Sequence, residues 1–245
     1  LVRHLASGGF GAVFEARGDH GDAAAVKVLT QRSPTADARF EREARTVAAL
    51  DHPAVVRVLA WGRSGDGTPW LATEFLRGSD LRERLRARSL GADALIRAAM
   101  EVCDALAHAH LRGIVHRDIK PANVFLCDGD ARPSARVLDF GLARALGDER
   151  LTATGAIAGT LAYASPEQCR EARDLDARSD LWSLGATLFE GLAGAPPFAA
   201  ASDAAVLYQV LFEDAPGLRT RRPDVPVELA AVVDRCLRRR RDERF

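Results

Sequence analysis

Two lysines stand among 34 basic residues, at positions 27 and 120, and each lies in a segment suited to handling phosphate. Lysine presents a compact ammonium and arginine a planar fork, so a site that must fit one point charge between crowded oxygens cannot exchange them freely. Drift in an arginine-biased composition is the bland alternative. Lys120 lies in His116-Arg-Asp-Ile-Lys-Pro-Ala-Asn123, which gathers a carboxylate, an ammonium and a carboxamide into eight residues. Lys27 lies inside the apolar run Ala23 to Leu29, where an unpaired ammonium would be costly to bury, so it requires a partner. Leu5-Ala-Ser-Gly-Gly-Phe-Gly-Ala-Val13 is glycine-rich, and without side chains its backbone N–H groups can approach phosphates closely. In Val137-Leu-Asp-Phe-Gly141 the carboxylate of Asp139 follows a short apolar strand, a place from which it can grip magnesium.

These residues need elements to position them. Val13 to Arg17 and Ala23 to Leu29 read as antiparallel strands joined by the turn-rich Gly18 to Asp22. Ser33-Pro34 opens a helix carrying Phe40, Ala44, Val47 and Ala48 at helical spacing, and Asp51-His-Pro53 ends it. Val55 to Leu59 and Trp70 to Phe75 are the next expected strands, parted by the polar stretch Gly62 to Gly67. From Ser79 onward the pattern is mainly helical, with Ala92 to Leu111 and Ala177 to Leu192 the longest periodic stretches. The change at Arg77-Gly78 implies a small β-rich lobe, a larger α-rich lobe and a ligand cleft between them. The polar loop from Leu142 to Leu161 is long enough to be functional or mobile.

Composition narrows the classes. A 245-residue chain with 47% hydrophobic content can build a buried core, and 34 basic residues balance 34 acidic ones. That balance gives no global field to favour nucleic acid or anionic lipid. Cys103, Cys127, Cys169 and Cys236 match neither a zinc knuckle nor a CxxC pair, which points to reduced thiols. No apolar run approaches the ~20 residues needed to span a bilayer, and the first residues do not form a signal peptide. The segment is expected to be cytoplasmic and without membrane contact. It reads as a domain cut from a longer protein, one that other segments could anchor to a membrane.

In their order and contexts, these motifs resemble the protein-kinase family from Leu5 to about Arg244. Gly8 and Gly11 match the second and third family glycines, and Ala6 stands at the first. The resemblance implies Glu43, in Arg39-Phe-Glu-Arg-Glu-Ala44, as the carboxylate that holds Lys27 against the α- and β-phosphates, with Glu41 the competing candidate. It implies the Glu74 carbonyl and the Leu76 amide as adenine-binding hinge groups, Thr73 as gatekeeper, and Val13 and Ala25 as the apolar roof. Asp118 would accept the hydroxyl proton, Lys120 would neutralise the γ-phosphate, and Asn123 and Asp139 would hold the metal. His116 is expected to be a packed structural residue. Gly159 to Glu167 would close an activation segment in which Glu167 pairs with Arg244. Phosphate on Thr152 or Thr154 would dock on Arg117 and order the loop. Asp180 would anchor the catalytic loop, and the run Arg238 to Arg241 reads as a solvated helix end.

The fold implied is α+β and bilobal, over residues 1–245. An antiparallel β-sheet N-lobe with one main helix (1–77) precedes a mainly helical C-lobe (78–245). The activity implied is that of a serine/threonine protein kinase, because Lys120 stands two residues after Asp118. Its style resembles the bacterial Hanks-type group. ATP and Mg2+ would be the cofactors, with Mn2+ as a substitute, and proteins the substrates. A homodimer phosphorylating in trans fits that scheme, and nucleic acid is not an expected partner. A catalytically dead pseudokinase scaffold and a small-molecule phosphotransferase are the competing readings.

Overall fold

The computed structural model describes residues 1–8, 11–18, 21–30, 33–129, 134–140, 161–170, 172 and 174–245; the side chains of Thr35, Arg39 and Glu43 are outside that description. The N-terminal part is a five-stranded antiparallel sheet in the order β1-β2-β3-β5-β4. Its strands are β1 (Arg3–Gly8), β2 (Gly11–Arg17), β3 (Ala23–Leu29), β4 (Val58–Arg63) and β5 (Pro69–Glu74). Alanine and β-branched residues fill β3, while glycine punctuates the turns around it. In the register, Val13 faces Lys27, Lys27 faces Leu71 and Ala25 faces Thr73. Directly opposed residues share a face, as do residues two apart, so these five side chains line one surface.

Helix α1 (Pro34–Ala48) lies against the sheet. Ser33 caps it by accepting from the Ala36 amide at 3.0 Å, and Pro34 occupies the first turn, where its missing N–H costs nothing. Phe40 and Ala44 of α1 pack with Leu29 and Leu71 in a small buried cluster. On the outer side, Arg63 of β4 donates to Asp37 at 2.8 Å and Glu41 at 2.6 Å, one helical turn apart. Gly11 has a structural reason to be glycine: a Cβ there would run into the Val28 carbonyl of the neighbouring strand.

The expected strand from Val55 to Leu59 is displaced. The strand begins at Val58, and Gly62 and Arg63 belong to it rather than to the following turn. Ala54, Val55 and Val56 are instead a buried plug: Val56 donates to the Val137 carbonyl at 3.1 Å, and Val137 donates to that of Ala54 at 2.8 Å. A short apolar run does not by itself distinguish a strand from a buried connector.

Three short strands, β6 (Gly78–Asp80), β7 (Val124–Cys127) and β8 (Ala135–Val137), form a second sheet. Around it stand α2 (Leu81–Arg86), α3 (Ala92–His110), α4 (Pro166–Cys169), α5 (Arg178–Ala193), α6 (Asp203–Phe212), α7 (Leu218–Arg221) and α8 (Val227–Cys236). Helix α5 is buried on nearly every side, as expected of an element at the centre of a helical lobe. Gly185 admits α8 so closely that a Cβ would sit 2.6 Å from that of Cys236. The basic run is not a solvated helix end, because α8 stops at Cys236. Arg239 donates to the Phe212 carbonyl at 2.6 Å and Arg241 to Asp174 at 2.6 Å, so the run ties the chain end to neighbouring loops. Among the described residues no helix is long and apolar enough to cross a membrane.

Candidate active site

The segment from His116 to Asn123 is shaped by buried polar partners. Asp180, in the first turn of α5, is fully buried and accepts from the amides of His116 (2.8 Å) and Arg117 (2.7 Å). Its carboxylate also meets His110 Nε2 at 2.8 Å, so it has the contacts that an anchor of this loop requires. Arg117 adopts φ of 69°, a left-handed conformation that side chains disfavour and that these bonds hold in place. His116 is likewise buried; its Nδ1 accepts from the Asp118 amide at 3.2 Å and its Nε2 donates to the Leu138 carbonyl at 2.8 Å. Pro121–Asn123 then forms a single 3-10 turn. Within it Asn123 Nδ2 donates to the Asp118 carbonyl at 2.7 Å and carboxylate at 2.8 Å, while Lys120 Nζ lies 2.9 Å from that carboxylate. Carboxylate, ammonium and carboxamide thus converge on one spot.

Asp139 follows β8 with φ of 54°, and Phe140 behind it is fully buried against the His116 ring, centroids 4.6 Å apart. Lys27 Nζ donates to Asp139 at 2.7 Å, across 112 residues of sequence. Burial opposes the charge on Asp139. The Lys27 ammonium, by charge and by hydrogen bond, with His116 and Lys120 behind it, nevertheless holds the carboxyl below its ordinary value. Its side chain remains 38% exposed, open to a ligand. Glu43 lies on α1, but its side chain is among those not described. The rival Glu41 is engaged by Arg63.

Val13, Ala25 and Thr73 share the Lys27 face of the sheet, next to the strand end that carries Glu74. The Glu74 amide donates to the Arg57 carbonyl at 2.9 Å, and its carboxylate accepts from the Arg57 amide at 3.0 Å. The Thr73 hydroxyl lies 3.4 Å from the Glu74 carbonyl. Among the described residues the Leu76 amide donates to no backbone group. Gly8 and Gly11 close the β1–β2 hairpin, paired with each other in the register.

Thr152, Thr154 and Thr160 lie outside the described residues. From Leu161 the chain is tightly bound. Tyr163 donates to Glu190 at 2.5 Å, and Ser165 and Gln168 form a reciprocal capping box on α4. Glu167 receives Arg244 at 2.7 and 3.0 Å and the Ser179 hydroxyl at 2.8 Å. Burial works against its ionisation, but the Arg244 guanidinium outweighs it and holds the carboxyl low. Three contacts carry no sequence motif: Gln168 Nε2 to the Arg117 carbonyl at 2.6 Å, Tyr163 to Glu190, and His110 to Asp180. Only the helical spacing that sets His110 on the last turn of α3 hinted at any of them.

Residues 1–245 match the protein kinase domain family. The serine/threonine-protein kinase PknJ of Mycobacterium tuberculosis is 42% identical over 241 residues, covering 95% of this chain and 40% of PknJ. PknB of Mycolicibacterium smegmatis is 41% identical over 230 residues, 90% of this chain and 36% of that one. The chain therefore spans well under half the length of these relatives. Among solved structures, Rad53 1-466 in complex with AMP-PNP superposes with a TM-score of 0.81 at 25% identity, over all of this chain and 61% of that one. With a five-stranded sheet facing a helical lobe, and with Lys27, Asp118, Lys120, Asn123 and Asp139 at the facing edges, the chain belongs to the protein kinase domain family.

Proposed function

We propose that this domain transfers the γ-phosphate of ATP to serine and threonine hydroxyls of proteins. The observation that carries the reading is the ion pair between Lys27 and Asp139, which brings a sheet cation to within a hydrogen bond of a carboxylate beside the Asp118 cluster. Phosphoryl transfer asks the protein mainly for positioning and charge stabilisation, and these groups supply both. Asp118 orients the acceptor hydroxyl and takes its proton; Lys120, held at the same carboxylate, stands ready for the transferred phosphoryl oxygens. Lys27 is assigned to the α- and β-phosphates and Glu43 to holding it. Adenine is assigned to the Glu74 carbonyl and Leu76 amide, beneath Val13 and Ala25, with Gly8 and Gly11 over the phosphates. The division into 1–77 and 78–245 belongs to the same proposal.

Mg2+ fits the donors present. A hard dication takes oxygen ligands, and Asp139 offers an ionised carboxylate while the Asn123 amide nitrogen is committed to Asp118, leaving its oxygen to face a metal. When bound, the ion neutralises phosphate charge; Mn2+ would serve similarly. The named relatives are serine/threonine-protein kinases, which supports the same acceptor class here. Activation by phosphate on Thr152 or Thr154, docking on Arg117, completes the proposal, with a homodimer acting in trans and a cytoplasmic site for the domain.

Radiolabel transfer from ATP to the domain itself or to a basic protein tests the activity. Labelling by the wild type and none by Asp118→Asn is expected; equal labelling in both would leave a scaffold as the better reading. Phosphoamino-acid analysis should return phosphoserine and phosphothreonine. A Thr152→Ala/Thr154→Ala variant should turn over more slowly, and unchanged turnover with no phosphate on the loop would retire the regulatory part.

A further inference from the structure

Helix α2 carries three arginines in six residues, and they do not share one fate. Leu81 faces inward and is buried, and Arg84 turns to Asp128 at 2.6 Å. Arg82 and Arg86, four apart and hence on one face, remain exposed. Arg82 touches Asp80 at 3.3 Å, but that carboxylate is also committed to capping α2 through the Glu83 amide at 2.8 Å. Arg86 has no carboxylate partner among the described residues. Like charges one turn apart weaken a helix. The helix dipole offsets part of this for Arg86 in the last turn, and the exposure of both leaves their guanidinium groups open to a passing chain.

Their position gives the pair a use. Helix α2 packs on the turn Pro121–Asn123, immediately after Lys120, so it stands beside the site where an acceptor hydroxyl would meet Asp118. On the other side stands Tyr163, three residues before α4. Burial, with Glu190 as acceptor, keeps its hydroxyl protonated, while Arg82 and Arg86 are near enough to pull the other way. Glu190, the carboxylate nearest Tyr163, is occupied by that hydroxyl at 2.5 Å. Any chain laid between α2 and the segment starting at Leu161 therefore passes two exposed guanidinium groups, one tied to Asp80 by a 3.3 Å contact and one with no carboxylate partner among the described residues.

We infer that Arg82 and Arg86 form a subsite for acidic side chains flanking the phospho-acceptor, so that the domain selects acidic peptides. The inference rests on the kinase reading above and adds the substrate class to it. Arginine forks suit carboxylates, and exposed charges of this kind act mainly through encounter and KM.

The test uses the purified domain, ATP and three peptides with one threonine flanked on both sides by glutamate, alanine or lysine. Wild type should favour the glutamate peptide over the alanine one by about tenfold in kcat/KM, chiefly through KM, with the advantage shrinking at high salt. Arg82→Ala/Arg86→Ala should bring that ratio near one. Arg82→Glu/Arg86→Glu should turn the preference toward lysine, a gain that misfolding cannot produce. Equal use of the three peptides by wild type, a wild-type preference for lysine, or an undiminished glutamate preference in the double alanine variant would overturn the subsite and leave the kinase reading standing. Absence of transfer to every peptide and to the domain itself would overturn both.

Discussion

The two sides of the cleft hold their chemistry by different means. On the helical side, the backbone from His116 to Asn123 is hydrogen-bonded to buried side chains: Asp180 and His116 accept amides, Asn123 bridges the turn, and Gln168 donates to a carbonyl. On the sheet side, Lys27 is aimed by strand register and by a cluster of four residues beneath it, and its partner among the described residues lies across the cleft. Polar satisfaction fixes a backbone to tenths of an ångström, whereas register fixes only which face a side chain occupies. The Asp118 carboxylate is therefore pre-set, and the lysine is set by what it meets.

Removing the anchor is the largest perturbation of the contrast. Asp180→Ala leaves two buried amides without an acceptor, at a cost of about 2–6 kcal/mol from ~1–3 for each. Urea unfolding should show this loss, and transfer should fall with it. Phe40→Ala attacks the other side. Truncating a buried phenylalanine costs about 3–5 kcal/mol, and hydrogen exchange should speed up in β3 and β5 while the segment around Asp180 keeps its protection. If both regions lost protection together, the lobes would be one cooperative unit and the contrast would fail.

Lys27→Arg separates charge from shape. It should lower kcat/KM by about 10²–10³, the scale of one lost transition-state donor, with little change in Tm. Acid titration sharpens the comparison further. Glu167 has a lowered folded value against 4.5 for the ordinary group, so its stabilisation is complete above 4.5 and disappears as the pH falls through the folded value. Glu167→Gln should flatten that part of the stability profile. Glu41→Ala should do least: its pair with Arg63 lies at the surface, and a change of about 0.2–1 kcal/mol that fades with salt is expected.

Legibility followed the same division. The octapeptide and the carboxylate after β8 could be read because each is a local spacing, whereas the Glu167–Arg244 pair, 77 residues apart, could be read only through the family resemblance. The helix from Pro34 and the strand at Ala23–Leu29 could be read from cap and period. The plug Ala54 to Val56 passed for a strand because burial alone leaves the same apolar signature. Strands β6 to β8, of three or four residues, are too short for alternation to register. Lys27's bond to Asp139 spans 112 residues, and no local pattern encodes such a distance. Gly11 was expected to be a glycine for the sake of phosphate, whereas its clash-limited fit against Val28 is a property of the sheet.

Gln168 has a consequence for how the molecule tolerates substitution. Its amide oxygen accepts from the Ser165 backbone while its nitrogen donates to the Arg117 carbonyl, so one side chain acts as a two-ended rivet between the segment leading into α4 and the segment from His116 to Asn123. Both ends are needed at once. Glutamate would keep the first and lose the second, and lysine the reverse, so the two residues nearest in length each undo half the joint. A shift of the Leu161 to Ser165 segment accordingly pulls, through one side chain, on the residue before Asp118.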